Sequence, residues 1–349
     1  MTKYKLKYLA SYSQNKINTN LLDKYNYIST DNMLSNFGGI VQATSIPKNC
    51  KVCKFEIGNI LLSNIRPYFK KIYYSKINGG CSNDVLCFQV NNTNIIHPKY
   101  LFYVMTSNQF INYVVSTSKG TKMPRGDKKA ILDYNINVPS LEYQHYIVDI
   151  IGSIDDKIEN NQKLINKLDK ILLLKFKKIY LKASKSNLTI NLNSIVTLKT
   201  GKKDANASIE NGKYPFFTCS EKESSINVYS FDQEAILIAG NGNMSVKYYN
   251  GKFDAYQRTY VISSDKYFYY LYLYYKSFIN DISIGAKGSV IKFLTKSLLL
   301  DINLPILNDN LMNEFEQNVK IILNYMLMLE KENSELIYLK QLYLKKFFR

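Results

Sequence analysis

Residues 152–180 read GSIDDKIENNQKLINKLDKILLLKFKKIY, and this stretch decides how the rest of the chain is interpreted. It has no proline, and its only glycine is the first residue. Apolar side chains recur every three or four residues with lysines between them, which is the pattern of an amphipathic helix. Such a helix is too long and too polar for the core of an ordinary domain. We therefore expect it to hold two folded parts of the chain apart.

A second stretch with the same spacing lies near the end of the chain. The seam of the first helix consists of Ile151, Ile154, Ile158, Asn161, Ile165, Leu168 and Leu172. The seam of the second consists of Val319, Ile322, Met326, Leu329, Asn333, Leu336 and Tyr343. This is a heptad repeat, and each mostly apolar seam predicts the other as its partner. An antiparallel pairing would place Asn161 opposite Asn333 and fix the register, or each Asn tolerates a solvated edge.

The two halves of the chain repeat the same elements. INVP (136–139) matches INLP (302–305), SKGT (118–121) matches AKGS (286–289), and LLLKFKKIY (172–180) matches KQLYLKKFF (340–348), in the same order. Each half also contains alternating apolar stretches typical of strands, followed by an aromatic stretch typical of a helix. We therefore predict two similar domains of mixed α/β (α+β) fold, related by a pseudo-two-fold axis. The predicted segments are a first domain over 1–140, a central helix over 141–183, a second domain over 184–307 and a final helix over 308–349.

Composition indicates a polyanionic partner. The chain has 349 residues and a formal net charge of +18, and such an excess favours nucleic acid. Lysine, asparagine, isoleucine and tyrosine are all abundant, which an AT-rich genome produces through codon usage alone. Arginine is therefore more informative, and the internal arginines are Arg66, Arg125 and Arg258.

Several classes of protein find no support in the sequence. No apolar run is long enough to span a bilayer, and no signal-peptide core is present, so we expect a cytoplasmic protein with reduced thiols. Cys50 and Cys53 form one Cys-x-x-Cys without a second pair, so no metal site is predicted. His97 and His145 fit a turn and a helix start. A Walker loop and the Asn/Asp-Pro-Pro-aromatic signature of amino-methyltransferases are both absent, so we predict that the chain is not an enzyme.

The junction VPSLEYQHYIVDIIGSIDDKIENNQKLINKL (138–168) resembles the central region of specificity subunits of type I restriction–modification systems. The segments ILLSNIRPYFKK (60–71), CSNDVLCF (81–88) and ILIAGNGNMSVKYYNGKFDAYQRTYVI (236–262) are similar to strands of that family's recognition domains. The second junction departs from the pattern, because Asn310 stands near the place that Gln144 has in the first.

The resemblance implies a specific set of roles. Each half would be a target recognition domain that reads one part of a bipartite sequence in double-stranded DNA. The helices would set the spacer and dock two methyltransferase (modification) subunits, and restriction/motor subunits would join the complex. This chain would bind no cofactor, since S-adenosylmethionine, ATP and Mg²⁺ belong to its partners. Two alternatives stay open at this point: the recognition subunit of a related two-component nuclease–methyltransferase, and a scaffold that binds only protein.

Basic and amide side chains at predicted strand ends and loops, together with one tyrosine, are the candidates for DNA contact. Arginine pairs with guanine and asparagine with adenine, whereas lysine favours phosphate. In the first half the candidates are Asn64, Arg66, Lys70, Lys71, Lys119, Lys122, Arg125 and Lys128. In the second half they are Asn241, Asn243, Lys247, Tyr256, Gln257, Arg258, Lys287 and Lys292. For Arg66 the alternative is a structural salt bridge or a phosphate contact, and for the basic residues of 118–129 the alternative is a solvated loop. We further predict that Asp127 caps a short helix, that 240–245 forms a hairpin turn, and that the stretch 267–275 packs in a core.

Overall fold

The computed structural model describes residues 2–220, 223–285 and 293–348. The chain divides into two compact units, which we call unit 1 (Met1–Asn160 with Glu332–Arg349) and unit 2 (Asn161–Lys331). Each long helix therefore contributes residues to both units. The predicted domain boundaries at 140, 183 and 307 stay a prediction. In the described part of the chain, no helix combines the length and the apolar character that crossing a bilayer requires.

In the described residues of unit 1, ten strands and four short α-helices precede the first long helix. The strands are β1 (Thr2–Lys5), β2 (Ala10–Tyr12), β3 (Lys16–Asn18), β4 (Tyr27–Ile28), β5 (Lys51–Phe55), β6 (Ile60–Ser63), β7 (Ile72–Tyr74), β8 (Gly79–Cys81), β9 (Val85–Val90) and β10 (Asn135–Val138). The helices are α1 (Leu6–Leu9), α2 (Pro98–Thr106), α3 (Asn108–Ser116) and α4 (Lys128–Leu132). The predicted single helix over the aromatic stretch is broken at Ser107, whose hydroxyl accepts the amide of Phe110 and caps α3.

Two four-stranded sheets, in the orders β2-β9-β6-β7 and β3-β5-β8-β4, form the body of unit 1. Successive residues of β6 face opposite sides, as the period of a strand requires. Leu61 joins a core between the sheets that includes Phe55 and Val85. Ile60 and Leu62 join the larger core beneath α2 and α3.

The long helix α5 (Leu141–Ala183) begins beside this larger core. Gln144 is fully buried, and its side chain accepts the amide of His97 at 2.8 Å while donating to the carbonyls of Ile95 and Pro139, both at 3.0 Å. One amide side chain therefore ties the start of α5 to the residue that caps α2. This explains why a glutamine stands at the fourth position of an otherwise amphipathic helix.

Among residues 161–220, 223–285 and 293–331, unit 2 forms eight strands and two α-helices besides its parts of the long helices. The strands are β11 (Thr189–Asn191), β12 (Val196–Thr200), β13 (Tyr214–Phe217), β14 (Ser224–Ile226), β15 (Phe231–Ala239), β16 (Val246–Ala255), β17 (Thr259–Ser264) and β18 (Asn303–Pro305). The helices are α6 (Phe268–Ile282) and α7 (Lys296–Leu300), and α8 (Asp309–Phe347) is the second long helix.

One six-stranded sheet in the order β12-β17-β15-β16-β13-β14 dominates unit 2. Ile236 and Ile238 pack beneath α6, and Leu237 faces a second small core around Phe253. The tyrosine-rich stretch 267–275 lies in the main core, which confirms that prediction. Phe176 of α5 packs on Tyr270, with ring centroids 5.3 Å apart.

The two units share the strand order of their main sheet, and each has one additional two-stranded sheet. The order β2-β9-β6-β7 of unit 1 corresponds to β12-β17-β15-β16 of unit 2. In each unit a short first strand pairs antiparallel with the strand that precedes the long helix. The predicted fold class, two similar mixed domains with two long helices, is confirmed.

The predicted alignment of the repeats is shifted by two residues at one place. The amide of Leu6 donates to the carbonyl of Tyr134, and the amide of Leu192 donates to that of Ile302. Tyr134 and Ile302 are therefore equivalent, whereas matching the letters INVP and INLP pairs Ile136 with Ile302. The same offset relates the starts of α5 and α8. The equivalent of Gln144 is consequently the buried Met312 and not Asn310.

Within unit 1, α5 and α8 run antiparallel and are joined by ion pairs. The ammonium of Lys340 lies 2.6 Å from the carboxylate of Asp155, and that of Lys157 lies 3.3 Å from Glu332. The end of α8 then packs on the core of unit 1, where the ring of Phe348 lies 5.5 Å from that of Tyr100. The last turns of the chain thus complete the first unit.

Candidate nucleic-acid interface

Three backbone segments meet at the end of β6 in unit 1. The amide of Asn64 donates to the carbonyl of Asp84 at 2.8 Å, just before β9. The amide of Gly126 donates to the carbonyl of Asn64 at 3.1 Å, and the amide of Arg66 donates to that of Pro124 at 2.8 Å. The predicted strand-end residues and the predicted basic loop, far apart in the sequence, are therefore neighbours. We call this arrangement the unit 1 junction.

Unit 2 builds the same junction from equivalent strands. The amide of Gly240, after β15, donates to the carbonyl of Arg258, just before β17, at 2.8 Å. The amide of Leu294 donates to the carbonyl of Gly240 at 2.8 Å. Asn241 forms a bridge with Phe293, as Ile65 does with Arg125 in unit 1. We call this arrangement the unit 2 junction.

The two junctions carry different side chains on this common backbone. In unit 1 the guanidinium of Arg125 lies 3.1 Å from the carboxylate of Asp84. In unit 2 the equivalent positions hold Phe293 and Arg258. The unit 2 junction also borders an open cavity of about 300 Å³, which is lined by Thr200, Gly240, Gln257, Arg258, Tyr260, Phe293 and Leu294. One scaffold therefore displays two different chemical surfaces.

Asn64 and Arg66 sit at the most constrained point of the unit 1 junction. Asn64 is buried, and neither its Oδ1 nor the Nε of Arg66 has a hydrogen-bond partner among the described residues. The backbone of Arg66 is left-handed, with φ of 48°. Non-glycine residues adopt this conformation only where their surroundings hold them, and such residues concentrate at binding sites.

Three of the predicted basic residues already have partners inside unit 1. Arg125 pairs with Asp84, and the ammonium of Lys71 donates to the carbonyl of Thr30 at 2.6 Å. Lys119 lies 2.5 Å from Asp127, and this hydrogen bond holds the pKa of that carboxyl below its usual range, aided by the backbone amides that it accepts. The side chain of Asp127 accepts the amides of Lys129 and Ala130 at the start of α4, which confirms the predicted cap.

The remaining basic candidates of unit 1 face solvent to different degrees. Lys122 and Lys128 are exposed, and Lys70 is half-buried with a left-handed backbone. Within the described ranges, none of the three forms an ion pair with the protein. Lysine binds phosphate as a point charge, so these three residues stay predicted phosphate contacts.

The hairpin of unit 2 carries three further candidates. β15 and β16 pair antiparallel around 240–245, which confirms the predicted turn. Asn241 is half-buried and Asn243 is exposed. The ammonium of Lys247 donates to the carbonyl of Ser220 at 3.0 Å and lies 6.0 Å from the ring of Phe217.

Tyr256, Gln257 and Arg258 form the turn between β16 and β17. The amide of Tyr256 donates to the carbonyl of Phe217, and the side chain of Gln257 donates to Asp204 at 2.8 Å. Arg258 is exposed. Lys287 and Lys292 lie outside the described residues.

The predicted seam positions point away from water along both long helices. The seam residues that are buried are Ile151, Ile154, Asn161, Ile165, Leu172, Val319, Met326, Leu329 and Asn333. The seam residues that are half-buried are Ile158, Leu168, Ile322, Leu336 and Tyr343. The pairing of Asn161 with Asn333 stays a prediction.

Sequence reasoning missed several residues of the two junctions. Asp84 and Phe293 were not among the candidates, although each contributes to a junction. Asp84 precedes the strand VLCFQV as Arg258 precedes TYVISS, so their parallel positions in the repeat were the available signal. Tyr68 and Phe69 were also missed, because aromatic residues in a loop carry no pattern of their own.

The cysteines of unit 1 form no metal site in the described part of the chain. Cys53 lies in the core between the two sheets with Cys81 and Cys87, and Cys50 contacts Thr19 instead. No group of three or more potential ligands is arranged to hold a metal ion among residues 2–220, 223–285 and 293–348. The histidines are structural: His97 caps α2, and its ring lies 4.8 Å from that of His145.

Residues 4–170 and 185–338 both match the family model described as the type I restriction modification DNA specificity domain. The chain is 43% identical over 122 residues to the specificity subunit of the type I restriction enzyme EcoDI of Escherichia coli. It is 32% identical over 126 residues to the HindI specificity subunit of Haemophilus influenzae. Each alignment covers 34% of this chain and only 27% of the relative's length.

Among solved structures, the chain is similar to an S subunit of a type I restriction–modification system from M. genitalium. The TM-score is 0.67, and the alignment covers 100% of this chain and 96% of that one, at 18% sequence identity. At that identity the likeness concerns the fold alone. It matches the architecture of two mixed units and two long helices described above.

Proposed function

The chain belongs to the type I restriction–modification DNA specificity family, and on this premise we propose that it is the specificity subunit of a type I restriction–modification enzyme. Unit 1 reads one half of a bipartite target in double-stranded DNA, and unit 2 reads the other. The chain supplies recognition rather than catalysis, and S-adenosylmethionine, ATP and Mg²⁺ act on partner subunits.

One observation carries this proposal: a single backbone junction occurs twice, with different side chains. Loops that are held by the same backbone geometry in both units but differ in chemistry suit the reading of two different base sequences. Arg66 in unit 1 and Arg258 in unit 2 are the leading candidates for base contact, since arginine makes the commonest specific contact with guanine. The lysines around them supply phosphate contacts, which position the protein without reading sequence.

The long helices support the docking of modification subunits. On α8, Ile321, Tyr325 and Met328 follow a four- and three-residue spacing, which places them on one helix face, and all three are exposed. An apolar stripe exposed to water is typical of an interface with another protein. We propose that the two modification subunits dock on exposed faces of this kind.

The helices also support a fixed spacer between the two half-sites. α5 crosses from unit 1 to unit 2 at residues 160 and 161 without a break, and α8 crosses back at 331 and 332. A continuous helix bends little, whereas a flexible tether would accept many spacer lengths. Target length would then be a property of these two helices.

Methylation mapping tests the proposal directly. The chain would be co-expressed with the modification subunits encoded beside its gene, in a host without adenine methylation, and methylated adenines would be mapped across the genome. We expect one motif with two defined halves around an undefined spacer, and none when this chain is omitted. An uninterrupted motif, or methylation that does not depend on this chain, contradicts the proposal.

Two substitutions test which unit reads which half of the DNA target. Arg66→Ala should relax the sequence requirement in one half and Arg258→Ala in the other, each by about 1–3 kcal/mol of discrimination. Lys122→Ala is the matched control, because loss of a phosphate contact weakens binding uniformly and lowers the salt slope by about one. If both arginine variants relax the same half, the assignment of one unit to each half is wrong.

A further inference from the structure

An exposed aromatic pair projects from the unit 1 junction. Tyr68 is 47% exposed and Phe69 is 38% exposed, and their ring centroids lie 4.8 Å apart. Both belong to the single helical turn Pro67–Phe69, which directly follows Arg66. Exposed single apolar residues are common, but two adjacent rings at the tip of one turn form a small apolar surface that calls for a reason.

The turn is held rigidly in place. Arg66 and Lys70, on its two sides, both have left-handed backbones, with φ of 48° and 54°. The amide of Asn36 donates to the carbonyl of Phe69 at 2.9 Å, and the amide of Phe37 donates to that of Lys70 at 3.0 Å. Strained backbone persists only where neighbouring structure determines it, so the rings are presented in a fixed position.

The surroundings of the rings are basic. Arg66 and Lys70 flank the turn, and the ammonium of Lys71 lies 5.9 Å from the centre of the Phe69 ring. The loop that supports the turn through Pro124 also carries the exposed Lys122. The nearby carboxylates of Asp84 and Asp127 are each paired with a basic residue. Aromatic rings surrounded by basic side chains suit a partner that is both anionic and aromatic. Nucleic acid has both properties, whereas an apolar protein surface has no anionic groups.

We propose that Tyr68 and Phe69 form a wedge that contacts the bases of the unit 1 half-site and partly unstacks one base step. Apolar side chains inserted in this way kink or unstack duplex DNA at its flexible steps. Unit 1 would then read part of its half-site through the deformability of the DNA and not only through hydrogen bonds. This inference rests on the proposed function.

The equivalent turn of unit 2 has no such feature. Between β15 and β16 it reads GNGNMS, without an aromatic residue, and the φ of Gly242 is 69°. Unit 2 is therefore expected to read its half-site without a wedge at this place. The difference provides an internal control within one complex.

The experiment uses the complex of this chain with its modification subunits and a duplex that carries the mapped target. 2-Aminopurine, whose fluorescence rises on unstacking, replaces in turn each adenine in and beside the two half-sites, except the methylated adenines, because methyltransferases flip their target base and would raise the signal in both halves. Wild-type complex should raise the fluorescence in one half-site only. The double substitution of Tyr68 and Phe69 by Ala should abolish that rise and weaken binding about 5- to 150-fold, the range for loss of one stacked base.

Salt dependence separates a ring contact from a phosphate contact. Rings release no counterions, so the slope of log affinity against log salt should be unchanged in the double variant, whereas Lys122→Ala lowers it. Tyr68→Phe keeps the ring and should bind as wild type. Tyr8→Ala, another exposed ring of unit 1, should leave both fluorescence and affinity unchanged.

Each outcome has one meaning. If the wild-type complex does not bind the target in a salt-dependent, sequence-specific way, the proposed function itself fails. If the wild type binds specifically and the double variant binds within twofold with the same fluorescence, the wedge is refuted and the function stands. If the double variant fails to assemble with the modification subunits but its DNA binding is intact, the rings serve a protein interface and the wedge is equally refuted.

Discussion

Glu316 of α8 lies against the start of α6 and should make the stability of unit 2 depend on pH. Its carboxylate accepts the amide of Tyr269 at 3.0 Å and that of Tyr270 at 2.7 Å. Burial raises the pKa of Glu316 from an ordinary 4.5 to about 7, against the opposing effect of these amides. The folded state therefore binds the proton more tightly than the unfolded chain does. The contribution of Glu316 to the free energy of unfolding should fall as pH rises from 4.5 to about 7 and then stay level.

The magnitude follows from the shift. Each pKa unit corresponds to about 1.4 kcal/mol, so the total loss is about 3 kcal/mol, most of it between pH 5 and pH 8. Glu316→Gln cannot ionise and should lack this dependence. The difference in free energy of opening between wild type and variant should therefore change by about 2–3 kcal/mol over that range, whereas contributions from groups common to both proteins cancel.

Hydrogen exchange of the peptide that covers α6 measures this difference. The opening free energy of its slowest amides would be compared at pH 5, 6, 7 and 8 in wild type and in Glu316→Gln. Glu314→Gln is the matched control, since Glu314 is an exposed carboxylate on the same helix. A difference that stays constant within about 0.5 kcal/mol across these values would show that burial does not dominate at Glu316, and the reasoning would fail.

Three further substitutions test the packing inside each unit. Phe176→Ala removes a fully buried ring from the core of unit 2 and should cost about 3–5 kcal/mol in urea unfolding; a cost below about 1 kcal/mol would mean that this ring is not well packed. Gly201→Ala places a Cβ 1.9 Å from the carbonyl oxygen of Ala255, a backbone atom that cannot yield, so the near-ultraviolet circular dichroism of folded unit 2 should be lost. Gln144→Leu leaves one backbone amide and two carbonyls without their hydrogen-bond partner and should lower the stability of unit 1 by about 2–4 kcal/mol. An unchanged melting temperature would argue that water replaces the side chain.

The sequence predicted the long helices and most strands because their signals are local. α5 is one helix of 43 residues, and its apolar spacing is visible without any partner. Strands such as β6 and β15 are marked by short apolar runs between turn residues. The break at Ser107 was missed, because apolar residues continue on both sides of it and only the capping hydroxyl marks the boundary. The alignment of the repeats failed by two residues at INLP, since similar letters do not reveal which carbonyl is hydrogen-bonded.

The sequence identified only part of the candidate site, for the same reason. Basic residues near strand ends can be identified from composition and position, and the unit 1 junction does bring Asn64, Arg66 and Arg125 together. Which of them are already paired cannot be read from a sequence, because Asp84 and Arg125 are distant in the chain. Tyr68 and Phe69 could be identified as a candidate contact surface only from their exposure and from the left-handed backbone of the residues on either side.

The sequence by itself determined that this chain repeats one mixed fold and carries two heptad helices, since periodicity is a property of neighbouring residues. The tertiary structure decided that the last turns of α8 complete unit 1 and that two junctions share a backbone while differing in side chains. Both facts depend on contacts between residues far apart in the chain, and such contacts are set by how complementary surfaces pack rather than by local preference.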